Sequence, residues 1–453
     1  MRRLITSTTA LSLAGLAGLM AFSRPAQAIP AFAAQTGLAC AACHIGFPQL
    51  TPFGRLFKLE GYTLGDQTYP RAHNFSAMLE AGYTYLNKSV PGGLAPDYPP
   101  NNAWSIQQTS LFYGGVLDKN LGLGAFIQGT FDGVAHQFHW DNTDIRFAQS
   151  AKLAGRQILY GVTFNNAPGL TDVWNTLPAW GYPFIPDELG VSPTAGLQIS
   201  GLAQSVVGVG GYAAYYLTPA DMLYGEFDAY KSLPNHTAYA LGVGPANGVG
   251  GTIPYWRLAL QHSVGENSYE IGTSGLVDHP YPSGFSHGPQ DDITDLGLDA
   301  QIQHITANQA ISLQASWYHE SQHWGASFPA GNTANLNDTL NQETVTVSYL
   351  WHQMFGATES FTNIGGNADS GLYAAAPISG NANGKPNTAS FTTELDYYPF
   401  NKGGPKFFPW VNAKFFLEGT IYPYFNGLAH NYDGNGRSAA NNDIVFGGIW
   451  LVF

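Results

Sequence analysis

The chain has 453 residues, 18 of them basic and 31 acidic, for a formal charge of −13, and charged residues make up only 11% of it. Aromatics reach 14%, with 54 glycines and 28 prolines, which is too aromatic and too sparsely charged for a disordered chain. No stretch beyond residue 28 is long and apolar enough for a transmembrane helix, so the hydrophobicity must be spread by alternation.

The first 28 residues read as an export signal, and residues 1–28 are assigned to it. Arg2 and Arg3 supply the positive start, Leu11 to Phe22 the apolar run, and Ala26-Gln27-Ala28 the small-residue cleavage site before Ile29. A membrane anchor is the competing reading, but the apolar run is short. Removing the segment takes away Arg2, Arg3 and Arg24 and no acid, leaving 15 basic against 31 acidic residues, a balance of −16. That argues against nucleic acid and anionic head groups as partners and suits cations or basic proteins.

Both cysteines of the chain lie in Cys40-Ala41-Ala42-Cys43-His44. C-x-x-C-H is the attachment signature of a c-type haem: two thiols form thioethers to the vinyl groups and the next imidazole meets the iron as proximal ligand. A zinc site would need about four ligands, and there is no second cysteine pair. A thioredoxin-like pair would need a βαβ setting. A plain disulfide is compatible with export, but the adjacent histidine favours one covalent haem c on Cys40, Cys43 and His44.

Residues 29–72 form a small segment around this motif. Thr51 before Pro52 reads as a helix cap, with a helix of about two turns running towards Gly61. Some forty residues are few to enclose a haem alone, so the segment should pack inside something larger. It holds no methionine, and no second histidine before Arg71, so any distal ligand must come from elsewhere.

From residue 73 to 453 the period changes to two. Phe75, Ala77, Leu79, Ala81, Tyr83 and Tyr85 alternate with Ser76, Met78, Glu80 and Thr84; Leu296, Leu298, Ala300 and Ile302 alternate with Asp295, Asp299, Gln301 and Gln303. This is the signature of half-buried strands. Sixteen are expected: 74–87, 103–117, 121–133, 143–153, 156–166, 203–217, 221–231, 253–264, 267–278, 293–305, 309–321, 342–351, 355–365, 388–399, 411–424 and 443–453. Short links such as Ala154-Gly155 and Gly265-Glu266 alternate with long ones such as 88–102, 167–202 and 366–387. An even strand count, short turns on one side, long loops on the other and a terminal Phe453 describe an outer-membrane barrel. A propeller lacks its fixed repeat here, and a β-sandwich array does not need loops that are long on one side only. The fold class is therefore all-β: a 16-stranded antiparallel outer-membrane β-barrel with a small N-terminal c-type haem plug.

The stretch from Gln35-Thr36-Gly37 through the cysteine motif and Leu50-Thr51-Pro52-Phe53-Gly54 to Gly61-Tyr62 resembles the fused monohaem cytochrome–porins of the bacterial outer membrane, the iron-oxidising outer-membrane cytochrome c family. The match is specific over residues 35–62 and generic over the barrel. The resemblance implies a haem plug that takes electrons from an extracellular donor, ferrous iron, and hands them to a periplasmic carrier. A substrate-transporting porin with a regulatory or accessory haem segment is the alternative, and a haem enzyme acting on a small molecule is a third.

Arg55, Lys58 and Arg71 are the basic residues near the motif. They are candidates for the haem propionates, or for salt bridges between plug and wall. Glu80, Glu226, Asp228, Asp295, Asp299, Glu394, Asp396 and Glu418 should line the lumen, since a charge facing lipid is costly; plug contacts and hydration are their ordinary role and a cation route the functional one. For the distal iron position Met78 comes first, on the lumenal parity of the first strand, with Met222, Met354 and His73 behind it. The methionines could equally fill gaps. His136 and His139 beside Asp141, and His319 with His323, sit in or next to expected loops, where such spacing sets no geometry. Trp174 and Trp180-Gly181-Tyr182 read as interface aromatics or loop packing.

Overall fold

The computed structural model describes residues 31–65, 71–178, 184, 187–243, 248–282, 287–403 and 411–453. The expected export signal and Trp180-Gly181-Tyr182 lie outside the described residues. The described residues start with a plug containing helix α1 (Ala31–Thr36), a single 3-10 turn over Cys40–Ala42, and helix α2 (Pro52–Leu59). Thr51 caps α2 as its sequence position predicts, accepting from the Gly54 N–H, with Pro52 in the first turn.

A second 3-10 turn (Arg71–Asn74) leads into sixteen strands. These are β1 (Phe75–Leu86), β2 (Ala103–Asp118), β3 (Leu123–Asp132), β4 (Gln137–Leu153), β5 (Arg156–Asn165), β6 (Val206–Tyr216), β7 (Asp221–Ser232) and β8 (Ile253–Val264), followed by β9 (Asn267–Asp278), β10 (Asp292–Ile305), β11 (Gln309–His323), β12 (Asn337–Trp351), β13 (Phe355–Gly366), β14 (Thr388–Tyr397), β15 (Asn412–Tyr424) and β16 (Ile444–Val452). Each pairs antiparallel with its sequence neighbours, and β16 closes onto β1. Phe453 completes the seam: its N–H donates to Ala77 O at 2.9 Å and its carbonyl accepts from Ala77 N–H at 2.5 Å.

The surface identifies the solvent. On β10 the outward Leu296, Leu298 and Ile302 are 47%, 54% and 46% exposed, while the inward Asp295, Asp299, Gln301 and Gln303 are buried. Outward Leu258, Leu260, Phe415, Leu417 and Ile421 repeat the pattern. A soluble protein puts these the other way round. Here a closed ladder satisfies every wall strand while apolar side chains face out, which is how a chain crosses lipid without a helix. The protein is a porin-like barrel of the Gram-negative outer membrane.

Two strands run further than their alternation suggests. β4 begins at Gln137, where Gln137–Trp140 pair with Gly129–Asp132, and β12 begins at Asn337, opposite His323. In β4 the aromatic alternation continues at Phe138 and Trp140, but on the opposite parity to Ile145 and Phe147, because the ladder slips by one residue between Ile127 and Gly129. In β12 the added Asn337-Asp338-Thr339 is polar on both faces, so the two-residue period fades there. His139 and His323 consequently lie on β4 and β11 and not in loops, while His319 lies on β11 within its expected strand.

A larger departure concerns residues 166–205, between β5 and β6. The described residues around 173–177 and 197–202 turn into the bore. Leu177, Leu197 and Ile199 pack against the wall residues Tyr230, Tyr255 and Tyr318 inside the bore, and Val173 and Trp174 join Leu59 of the plug with Tyr212, Met222 and Tyr224. The lumen is thus filled by two inserted segments, the plug and this inward loop.

Candidate functional site

The C-x-x-C-H turn is built by local hydrogen bonds. Cys43 N–H and His44 N–H both donate to Cys40 O, at 3.1 and 2.9 Å. Thr51 does more than cap α2: its hydroxyl donates to Ala42 O at 2.6 Å, and its N–H to Cys43 O at 2.9 Å. α2 can lie this close only because residue 54 is glycine, since a Cβ there would stand 2.3 Å from Cys43 O. Cys40 and Cys43 are not joined to each other. The His44 ring Nδ1 lies 3.1 Å from Pro48 O. A carbonyl only accepts, so Nδ1 carries the proton and Nε2 keeps its lone pair. Burial pushes the Cys40 thiol up to about 11, against the opposing Asn412 hydrogen bond, and burial together with Cys40 pushes Cys43 up to about 12. Burial also pulls the His44 imidazole below its ordinary value, despite its hydrogen bond to Pro48.

The turn is fixed to the wall at the rim that carries the short connections. Asn412, the first residue of β15, donates to Cys40 Sγ at 3.2 Å, and Ala41 N–H donates to Asn401 O at 3.1 Å. Ile45 packs with Ala310, Leu350 and Tyr398. Phe47 stands edge-on to His44, Tyr398 and Trp450, each at 5.6 Å between ring centres. Beside it lies a small cleft bounded by Ile45, Gly46, Phe47, Tyr398, Glu394 and Lys414.

Arg55 and Lys58 are fully engaged elsewhere. Arg55 donates to Gln301 Oε1, Gln303 Oε1 and Ser268 Oγ at 2.8, 2.9 and 2.8 Å, leaving only Nε without a partner. Lys58 Nζ donates to the Leu170 carbonyl of the inward loop. These contacts anchor the plug through amides, a hydroxyl and a carbonyl, and not through the salt bridges to lumenal acids that the alternative reading expected. Burial lowers Arg55 to about 10, so it stays charged at neutral pH. Burial, with Arg146 nearby, lowers Lys58 to about 8. Tyr62 completes the attachment, its hydroxyl donating to Asp144 Oδ2 at 2.6 Å. The Arg71 side chain lies outside the described residues.

The inward loop roofs the plug. Leu50 N–H donates to Asn175 Oδ1 at 3.1 Å. Gln301 links both inserts, accepting from Arg55 and donating to Trp174 O at 2.6 Å. Arg257 sits over the Trp174 ring at 5.2 Å and gathers Asp172, Glu270 and Asp299 at 3.5, 3.2 and 2.6 Å. Trp174 is thus loop packing, wholly buried. All eight expected lumenal acids point inward; Glu394 and Asp396 share Lys414, at 2.7 and 3.2 Å.

Among the methionines, Met78 is buried on the inward face of β1. Met222 packs with Leu59 and Tyr224 on the opposite side of the plug, and Met354 lies in the β12–β13 turn. His73 sits in the turn that joins plug to barrel. Among the described residues no three His, Cys, Asp or Glu side chains converge on a metal position. Asn412, Gln301 and Gln303 were not singled out from the sequence. Their only signal is a polar residue on the inward parity, which dozens of others share.

No protein-family model matches the chain, and no curated protein is similar to it. Solved structures with similarity include Pseudomonas putida OprB, at 14% identity and a TM-score of 0.48, covering 84% of this chain and 93% of that one. The anion-selective porin from Comamonas acidovorans has 12% identity and a TM-score of 0.44, covering 84% and 98%. The outer membrane channel DcaP of Acinetobacter baumannii has 12% identity and a TM-score of 0.44, covering 84% and 96%. The barrel assignment rests on the strand ladder and the lipid-facing surface described above.

Proposed function

We propose that the plug carries one covalent haem c on Cys40, Cys43 and His44, and that the barrel serves electron transfer across the outer membrane. The donor is extracellular, with ferrous iron the candidate from the resemblance over residues 35–62, and the acceptor is a periplasmic carrier. The observation that carries this reading is the location of the C-x-x-C-H turn: it is held within the bore by Asn412, Asn401 and the Phe47 contacts. A diffusion pore has no use for a thiol pair and an imidazole fixed at the wall.

The residues fit the group on their own chemistry. The two thiols are free, and His44 presents an unprotonated Nε2. When bound, such a group supplies a one-electron centre whose potential follows its ligands and solvent access. The chain's part is to hold the ligand, exclude water with the roofing loop, and fix the centre's depth in an insulating membrane.

Anaerobic mixing of the oxidised protein with ferrous iron, with the haem spectrum followed, tests this reading. Reduction at the haem bands is the expected result. Cys40→Ala with Cys43→Ala should abolish covalent haem on a denaturing gel while barrel remains; persistent covalent haem overturns the assignment.

A transporting porin is the second reading. It is favoured by the inward loop, which narrows the bore against the charged group of Arg257, Asp172, Glu270 and Asp299. Planar-bilayer conductance separates the two: steady open-channel current in the intact protein supports the porin, and a closed barrel supports the conduit.

A further inference from the structure

We propose that the outer face of β12, β13 and β14 around Glu359 is a lateral docking surface for a membrane-embedded segment of a different protein, one that brings a lysine or arginine to mid-depth in the bilayer. The inference rests on the barrel alone and is independent of whatever the C-x-x-C-H turn holds. Glu359 shares the outward parity of Phe355, Ala357 and Phe361 on β13, while its neighbours Thr358 and Ser360 are buried on the lumenal side. Across the ladder it pairs with Val347 of β12 and Thr393 of β14. Val347 and the adjoining Leu395 are 44% and 54% exposed, so a carboxylate stands in an apolar outer wall.

Its depth follows from the register. Trp351, Phe355, Tyr397 and Phe415 form one outward row of rings at the rim of the short β12–β13 turn. Glu359 lies four residues further along β13, about 13 Å along the strand. For a tilted strand that is about 10 Å deep in an apolar band about 25 Å tall. Beyond it the next row is apolar again, with the Phe361 and Phe391 ring centres 4.9 Å apart. Glu343, two rows further out, already accepts from Asn363 at 2.6 Å. The outward Asp221–His262 and Asp292–His279 pairs sit at the rims.

A carboxylate at that depth is costly when only lipid faces it, and an ionisable group within the membrane ordinarily marks a partner. Thr393 Oγ1 donates to Glu359 Oε2, and among the described residues no cation meets Glu359. Charge then selects the occupant. The described lysines and arginines of this chain lie in the plug, in the lumen, in loops and turns, or at strand ends. A second copy related by an axis along the membrane normal keeps every residue at its own depth, so it brings no cation to Glu359. Lipid head groups stay at the interface and do not reach mid-depth. The complement is a basic side chain on the apolar flank of another integral protein. Ala357, the next outward residue on β13, leaves room for it beside the carboxylate.

The test uses the full chain in the outer membrane of the cells that make it, with photoreactive benzoylphenylalanine in place of Leu395 or, as a control on the far wall, of Leu258. The Leu395 label should give one discrete adduct with another polypeptide, and the peptide joined to it should hold a lysine or arginine within an apolar stretch. Glu359→Gln should lower the yield roughly fivefold and Glu359→Lys should abolish it, with both barrels present at the wild-type level. No adduct, an adduct between two copies of this chain, or a joined peptide without a basic residue overturns the proposal. So does an adduct that the Leu258 label gives equally, or one that Glu359→Gln leaves unchanged, the result expected of a protonated Glu359 bonded to Thr393 in plain lipid. If Glu359→Lys does not reach the membrane, Glu359→Gln, which keeps the shape of the side chain, decides alone.

Discussion

Met78 and Asn412 share one row of the sheet: both are paired with Val452, from its two sides. Two strand spacings, about 10 Å, separate them, and the Asn412 amide already touches Cys40. Met78 therefore opens on the same chamber as the cysteine turn, while Met222 is packed away behind Leu59. Met78→Leu keeps the volume. In haem-loaded protein it should shift the potential and remove a sulfur-to-iron band at the red end of the oxidised spectrum. An unchanged spectrum and potential would exclude Met78 and turn the search to His73.

Among the described residues Arg257 is the one base in ion-pair contact with Asp172, Glu270 and Asp299, and all four side chains are buried. Arg257→Ala leaves those charges uncompensated, a loss of about 3–5 kcal/mol for a broken buried pair. The inward loop should come away from β8 and β10. Lower thermal stability and a larger single-channel conductance are the expected readings. Arg257→Lys keeps a charge but not the fork that spans three acceptors, and should fall between.

Thr51 ties the start of α2 to the turn before His44. Thr51→Ala removes the cap, worth about 0.5–2 kcal/mol, and also the bond to Ala42 O. The barrel should be unaffected and the plug loosened, which limited proteolysis will report as faster cleavage within residues 31–65.

Lys58 gives the plug a pH dependence of definite sign. Its folded value of about 8 lies below the ordinary 10.5 because of burial and Arg146. Between those values the folded state holds fewer protons than the unfolded one, so stability rises with pH across the window. Below about 8 the charge is carried at full cost. Proteolytic release of the plug should slow from pH 8 to 10, and Lys58→Met should abolish that trend.

Much of this architecture is legible in the sequence because lipid enforces it. β8 and β9 begin and end where their alternation begins and ends, since one face must be apolar for the whole crossing. Thr51-Pro52 marks α2 by local chemistry alone. The inward loop is not legible. Val173, Leu177, Leu197 and Ile199 have no period, and their apolar character only makes sense against Tyr230, Tyr255 and Tyr318, brought near by ring closure. Gln301 is hidden for a similar reason: its bond to Trp174 O crosses 127 positions, and nothing local distinguishes it from Gln303. Arg55 and Lys58 show the limit of proximity in sequence. They lie near the cysteine motif, yet α2 points them at the wall and the loop.

The seam between β1 and β16 joins the first strand to the last, and the plug it encloses precedes both in the chain. Tyr62 reaches β4, Arg55 reaches β9 and β10, and Cys40 reaches β15, so the segment is gripped from around the ring. Closure of that seam then fixes Cys40 against Asn412. The expected consequence is that a group as large as a haem is joined to Cys40 more readily before the ends meet than after. A barrel refolded from bare chain should take up the missing group more slowly than chain that meets it before refolding.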